Sequence, residues 1–273
     1  MGSKLALLAG NGVFPVLVAR GAKAAGVPVV AVAHEGETDP EIELEVDSCT
    51  WVKVGELGRT LRTFLRAECD HAVMAGGIGK AQALGSVRPD LRGAAFLLRM
   101  RTLQDDRLLR GIADEFEKEG IPVVASTQYM PELIPGVGPL TRKAPSSDQL
   151  RDIEFGRRVL AATGPFEIGQ TVVVKDGLVF ALEAVEGTDA AIQRGGALAG
   201  GGAVVVKAAK PAQDLRFDVP AIGPETIPLM EAVGASVLAV EAGRTLILEK
   251  SAVLAAATAA GIRVYAFSSE EIE

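Results

Sequence analysis

Residues 4–33 read KLALLAGNGVFPVLVARGAKAAGVPVVAVA, and this stretch decides the fold. Lys4–Leu8 is an apolar run fit for a buried strand, Gly10-Asn11-Gly12 is a turn, Val16 to about Ala25 is helical, and Val27–Ala33 is a second apolar run. A crossover helix of that length returns the chain to the same end of the sheet, so the two strands run parallel. The pattern then continues. Trp51–Val54 reads as a strand, Leu57–Ala67 as a helix with Leu57, Leu61, Phe64 and Leu65 at helical spacing, and His71–Ala75 as a strand leaving into Gly76-Gly77-Ile78-Gly79-Lys80. Asp105–Glu119 reads as an amphipathic helix and Pro122–Ala125 as a fifth strand. Such alternation predicts a Rossmann-like, doubly wound parallel sheet over residues 1–133.

A chain of 273 residues exceeds the roughly 100–200 of a usual domain, which predicts two. Between Pro131 and Pro145 the text turns rich in proline and glycine, and residues 134–146 are read as a linker to a second domain at 147–273. That half mixes signals. Ser146 or Ser147 caps a helix to about Ala161, and Thr171–Val174 and Leu178–Ala184 flank Lys175-Asp176-Gly177 as a hairpin. Strands are expected at Ala203–Lys207, Ser236–Val240, Thr245–Leu248 and Arg263–Phe267, with helices ending near Leu198, Ala232 and Ala260. Together these predict a second α/β domain with a mixed sheet.

With 28 Lys and Arg against 35 Asp and Glu the formal charge is −7, which argues against nucleic acid as a partner. Cys49 and Cys69 lack metal-ligand spacing and secretory context, so a reduced, cytoplasmic protein is expected. The basic, apolar start is like a signal peptide until Gly10-Asn11-Gly12 interrupts it. No apolar run approaches the roughly 20 residues that cross a bilayer, so lipid contact is expected to be peripheral.

In an open parallel sheet ligands sit beyond the carboxyl ends of the strands, where both glycine turns lie. Backbone N–H groups there suit an anionic or polar group. Neither turn is a full fingerprint: Pro15 stands where a third glycine belongs, no clean acidic residue ends the second strand, and Lys80 is wrongly spaced for a P-loop. Tight turns needing positive φ account for some of these glycines whatever the function.

The densest convergent charge lies in Lys207–Gly223, KAAKPAQDLRFDVPAIG. Pro211 and Pro220 forbid a long helix, so this is a loop. Run extended, it would point Asp214, Arg216 and Asp218 to one side. Carboxylates so placed can share Mg²⁺, which takes one or two protein carboxylates with waters and phosphate oxygens. Lys207, Lys210 and Arg216 would offset phosphate charge. A structural Asp–Arg network bracing the loop explains the spacing equally well. A second group, EAVEGTDAAIQR at 183–194, opens a helix, and Glu186, Asp189 and Arg194 would face the first group if the two strands are neighbours. An N-cap at Thr188 or Asp189 would account for one of them. His34 and His71 have no serine nucleophile motif nearby and offer no triad.

Three motifs carry a resemblance: GNGxFP from Gly10, EGTDAAIxR from Glu186, and KxxKPxQDxRxDxPxxG from Lys207. Through them the chain resembles the LpxI family over essentially its whole length. The resemblance implies Mg²⁺-dependent hydrolysis of UDP-2,3-diacylglucosamine to 2,3-diacylglucosamine 1-phosphate (lipid X) and UMP in lipid A biosynthesis. It also implies water adding at the phosphorus on the sugar side and a substrate held between two domains, and it favours catalysis over bracing. The expected catalytic residues are Asp218, Asp214, Asp189, Arg216, Lys207 and Lys210. Asp214, Asp218 and Asp189 share the roles of metal ligand and water-positioning base, their division left open, with Mn²⁺ as an alternative cation. Gly10, Asn11, Gly12, Phe14, Pro15, Gly76, Gly77 and Lys80, with Glu186, Gly187, Thr188 and Arg194, are expected at the substrate. Partners are then the substrate, lipid X and the cytoplasmic face of the inner membrane, and a homodimer is compatible. Two other readings compete: a noncatalytic nucleotide-sugar binding or regulatory module, and a nicotinamide-dependent oxidoreductase drawn from Gly10-x-Gly12, which leaves the carboxylates of the second half idle.

Overall fold

The computed structural model describes residues 3–79, 88–100, 105–211 and 213–268, positions 105 and 106 by their backbone alone. The chain forms two compact units, Met1–Met130 and Pro131–Glu273.

The first unit runs β1 (Leu5–Ala9), α1 (Phe14–Ala24), β2 (Val29–His34), α2 (Ile42–Glu45), β3 (Ser48–Val52), α3 (Leu57–Arg66), β4 (His71–Ala75), α4 (Leu91–Arg99) and α5 (Asp105–Lys118). Its sheet has the order β3-β2-β1-β4 and is parallel throughout, with Leu7 beside Ala31 on one side and Val73 on the other. Leu5, Ala6, Leu7 and Ala9 are all fully buried, so both faces of β1 are covered, which is why its sequence is apolar without alternation. This order places the topological switch between β1 and β4, whose carboxyl ends carry the two glycine turns. Pro122–Ala125, expected as a fifth strand, contributes one parallel bridge, Ala72 to Val123. Pro122 brings no N–H and a 3-10 turn begins at Ser126, so the ladder stops there.

Helices α4 and α5 are joined by charge. The buried Glu115 carboxylate meets Arg92 at 3.0 Å, Arg99 at 2.9 Å and Lys118 at 2.8 Å. Hydrogen bonding from Lys118, then from Arg92 and Arg99, pulls its pKa down to about 2 against the cost of burial. Because the folded value lies below the unfolded one, the stabilisation is full above the unfolded pKa of about 4.3 and fades as pH falls toward about 2. Glu115→Gln is therefore expected to melt below wild type at neutral pH, and the gap in melting temperature should close on acidification. A gap that does not change with pH would contradict this assignment.

The second unit runs β5 (Gly138–Pro139), α6 (Ser147–Thr163), β6 (Thr171–Lys175), β7 (Leu178–Leu182), α7 (Thr188–Ala199), β8 (Val204–Lys207), β9 (Ala221–Ile222), α8 (Thr226–Ala232), β10 (Val237–Glu241), β11 (Leu246–Ile247), α9 (Lys250–Ala259) and β12 (Arg263–Phe267). Its mixed sheet has the order β5-β12-β10-β8-β6-β7, in which β8, β10 and β12 are parallel and β6 runs against both neighbours. Alternate side chains build a core on each face. Val173, Val205, Leu238 and Val264 pack with Ile192, Ile227 and Val253, while Val172, Val204, Val206 and Val237 pack with Ile153 and Leu160. Glycines let two helices sit close: a Cβ on Gly156 of α6 would lie 2.7 Å from Val206, and one on Gly195 of α7 would lie 2.6 Å from Val173.

Local rules account for the ends. Ser146 caps α6 in a reciprocal box with Gln149. The β6–β7 reversal has Asp176 and Gly177 at φ 51° and 73°, and Asp152 of α6 accepts from both of their amides at 3.0 and 2.8 Å. Part of the segment read as a linker is built into this unit: Gly138–Pro139 pairs with β12, Leu140 N donates to Val264 O, and Gly243 N donates to Pro135 O. Strand β11 leaves the main sheet, because it pairs with β9, a strand formed inside the Lys207–Gly223 loop.

Candidate functional site

In the first unit the two glycine turns touch. Gly10 N donates to Ala75 O at 2.8 Å, Asn11 N to Gly77 O at 2.7 Å, and Gly77 N returns a bond to the Asn11 side chain at 3.1 Å. A Cβ on Gly10 would lie 2.3 Å from Gly77 O, so close approach requires glycine there. Gly12 and Gly76 both have φ 79°. Phe14 and Pro15 open α1, Pro15 buried. Lys80 lies outside the described residues. The sequence reading overlooked Glu37, three residues beyond β2: its Oε2 accepts from Gly79 N at 2.9 Å and Asn11 Nδ2 at 3.1 Å, and its Oε1 is buried without a partner.

The histidines and cysteines are structural. His34 bonds Ala9 O at 2.9 Å, and His71 at the amino end of β4 bonds the Tyr129 hydroxyl. Burial lowers the pKa of both rings. Burial also pushes the Cys49 and Cys69 thiols up to about 11, which leaves them protonated and unreactive.

In the second unit the charge gathers around Lys207, the last residue of β8, whose side chain is only 7 % exposed. Its Nζ donates to Thr188 Oγ1 at 2.8 Å at the start of α7, and Thr188 Oγ1 donates in turn to Glu183 Oε1 at 3.1 Å just past β7. Burial lowers the Lys207 pKa, opposed by the charges of Glu183, Asp189 and Asp218. Strand β6 lies between β7 and β8, so the two loops are next-but-one neighbours in the sheet. Gly187, at φ 83°, holds the N-cap position instead of Thr188 or Asp189, which frees the Thr188 hydroxyl for Lys207.

The Asp214–Asp218 segment is a turn instead of the extended run expected. Phe217 N and Asp218 N both donate to Asp214 O, at 3.1 and 3.2 Å, and the Asp214 carboxylate accepts from Arg216 N at 3.2 Å, an Asx-type closure. Asp214 also accepts from the Arg216 guanidinium with both oxygens, at 3.0 and 2.9 Å, and that guanidinium lies 4.9 Å from the Phe217 ring centroid. Lys210 pairs with Glu167, and Glu186 pairs with Arg194 near the surface. The sheet end therefore brings Lys207, Thr188 and, by their charge, Asp189 and Asp218 together, while Glu186 and Arg194 satisfy each other. Sequence reasoning also passed over Glu183 and Gln213. Gln213 is buried and holds Asp218 Oδ2 at 2.6 Å; its signal was its place between Lys210 and Asp214 in the quoted motif.

Among the described residues no group of three or more His, Cys, Asp and Glu is arranged to hold a metal, and no helix is long and apolar enough to cross a membrane.

The fold and this cluster define a two-unit α/β protein with a buried lysine at a sheet end set among acidic side chains. Residues 4–133 match the LpxI N-terminal domain and residues 136–265 the LpxI C-terminal domain. The UDP-2,3-diacylglucosamine pyrophosphatase LpxI of Caulobacter vibrioides is 35 % identical over 280 residues, covering 98 % of this chain and 99 % of the relative. The chain belongs to the LpxI family. Solved structures give only faint likenesses: a biotin carboxylase domain of a thermophilic 2-oxoglutarate carboxylase at 16 % identity and TM-score 0.28, over 63 % of this chain and 29 % of that one. A pyruvate carboxylase from Rhizobium etli stands at 14 % and TM-score 0.30, over 63 % of this chain and 14 % of that one.

Proposed function

We propose that this chain is a phosphoanhydride hydrolase that cleaves UDP-2,3-diacylglucosamine to 2,3-diacylglucosamine 1-phosphate and UMP, a step of lipid A biosynthesis. The observation that carries the reading is Lys207, buried among Thr188, Glu183, Asp189 and Asp218 in a unit matched to the LpxI C-terminal domain. Water adds to the phosphorus on the sugar side, its proton passes to a carboxylate, and the anhydride bond breaks with UMP as the leaving group. Lys207, Lys210 and Arg216 offset charge developing on the phosphoryl oxygens, and Asp218 orients the water. Asp214, engaged by Arg216, is assigned to aiming that guanidinium. The nucleotide end is assigned to the glycine turns of the first unit and the sugar phosphate to the second.

The donor set fits Mg²⁺. Asp189 and Asp218 offer hard oxygens, and a cation that completes its shell with water and phosphate needs no three-ligand cluster. When bound, it supplies charge neutralisation at the phosphate oxygens. A diacyl substrate brings the protein to the cytoplasmic face of the inner membrane by peripheral contact. Incubating purified protein with UDP-2,3-diacylglucosamine and Mg²⁺ should yield both products, Mn²⁺ should substitute, and EDTA should abolish turnover. Full turnover in excess chelator would contradict the metal assignment, and tight binding without turnover would favour a noncatalytic module.

A further inference from the structure

We infer that Gln213 is a positioning residue for Asp218, fixing the direction of its carboxylate through the side-chain amide. The inference rests on the reaction proposed above. Gln213 lies in the loop after β8 and is 8 % exposed, so its amide must find partners inside the protein. Its orientation is set by chemistry: Oε1 accepts from Lys210 N at 2.8 Å, a bond that only the carbonyl end of the amide makes. The NH₂ group therefore faces Asp218. Nε2 lies 3.0 Å from Asp218 O and 2.6 Å from Asp218 Oδ2, one N–H for each.

A bond to the main-chain carbonyl alone would brace the loop. The loop already has closing bonds of its own, from Gln213 N to Lys210 O at 3.0 Å and from Phe217 N and Asp218 N to Asp214 O at 3.1 and 3.2 Å. The bond to Oδ2 adds what these leave undetermined, the rotation of the Asp218 side chain. A carboxylate on a loop has two free torsions, and a charge-assisted bond to one oxygen removes most of that freedom. The same amide also ties Asp218 to the backbone of Lys210, a proposed phosphate partner, so one side chain sets a carboxylate and a cation relative to each other.

Steady-state kinetics on wild type, Gln213→Ala, Asp218→Ala and the double variant test this, with thermal melting of each. Gln213→Ala should lower kcat about 10- to 100-fold, the scale expected when a reacting group is misplaced by about 1 Å, with KM within about threefold. Gln213→Met, which keeps the volume without the amide, should give the same loss at a melting temperature close to wild type. In the Asp218→Ala background the Gln213→Ala change should cost less than about twofold more, because its effect runs through Asp218. Equal losses in both backgrounds, a loss confined to KM, or an unchanged kcat would overturn the inference. Wild-type protein without turnover would refute the reaction itself, whereas wild-type turnover with additive losses refutes the role of Gln213 alone.

Discussion

Asp218→Ala is expected to lose about 10³-fold in kcat and still bind intact UDP-2,3-diacylglucosamine with near wild-type affinity. The carboxylate carries no bulk of the substrate in the proposed mechanism; it orients water, an interaction realised only as the transition state forms. Deleting it removes rate and leaves ground-state binding. The loop should survive the change, since its closing bonds run to Asp214 O and Lys210 O through the backbone. The check is equilibrium binding beside steady-state turnover, and the variant should trap unhydrolysed substrate. Wild-type turnover would show that the site has been misplaced.

Lys207→Met is expected to cost stability and activity together. Lys207 is 7 % exposed, and its charge is the counterpart of Glu183, Asp189 and Asp218. Removing the cation leaves those carboxylates without it and takes the Nζ donor from the Thr188 hydroxyl. Breaking a buried pair from one side costs roughly 3–5 kcal/mol, and the exposure of Asp189 places this case at about 3 kcal/mol. Methionine fills the aliphatic volume, so the loss is electrostatic. Turnover should fall below about a thousandth of wild type, since the cation nearest the phosphate is gone. Chemical denaturation measures the first effect and product formation the second; a variant as stable and as active as wild type would remove Lys207 from the site.

Both sheets were legible in the sequence because buried parallel strands are written as unbroken apolar runs, as in Leu5–Ala9 and Val204–Lys207, and because Asp176-Gly177 specifies its hairpin turn. The ends were less legible. Pro122–Ala125 has the composition of a strand, but a proline at one end and a 3-10 turn at the other leave it one bridge. Gly138–Pro139 has the composition of a linker, yet backbone pairing with β12 draws it into the second unit, and pairing partners are not written locally.

The candidate site divides the same way. Residue types and spacing picked out Lys207, Thr188, Asp189 and Asp218, but an extended-chain argument aimed Asp214, Arg216 and Asp218 to one side when Asp214 closes a turn on its own backbone. Asp side chains compete for nearby amides, and that competition decides between strand and turn in a short loop. Glu37, Glu183 and Gln213 were passed over because their roles arise from partners that only the folded chain brings near.

Hydrolysis in ¹⁸O-labelled water, followed by mass spectrometry of both products, tests the central claim most directly. Attack at the sugar-side phosphorus by water oriented in the Lys207–Asp218 cluster predicts one label in 2,3-diacylglucosamine 1-phosphate and none in UMP. Label in UMP, or no turnover of UDP-2,3-diacylglucosamine with Mg²⁺ present, would contradict it.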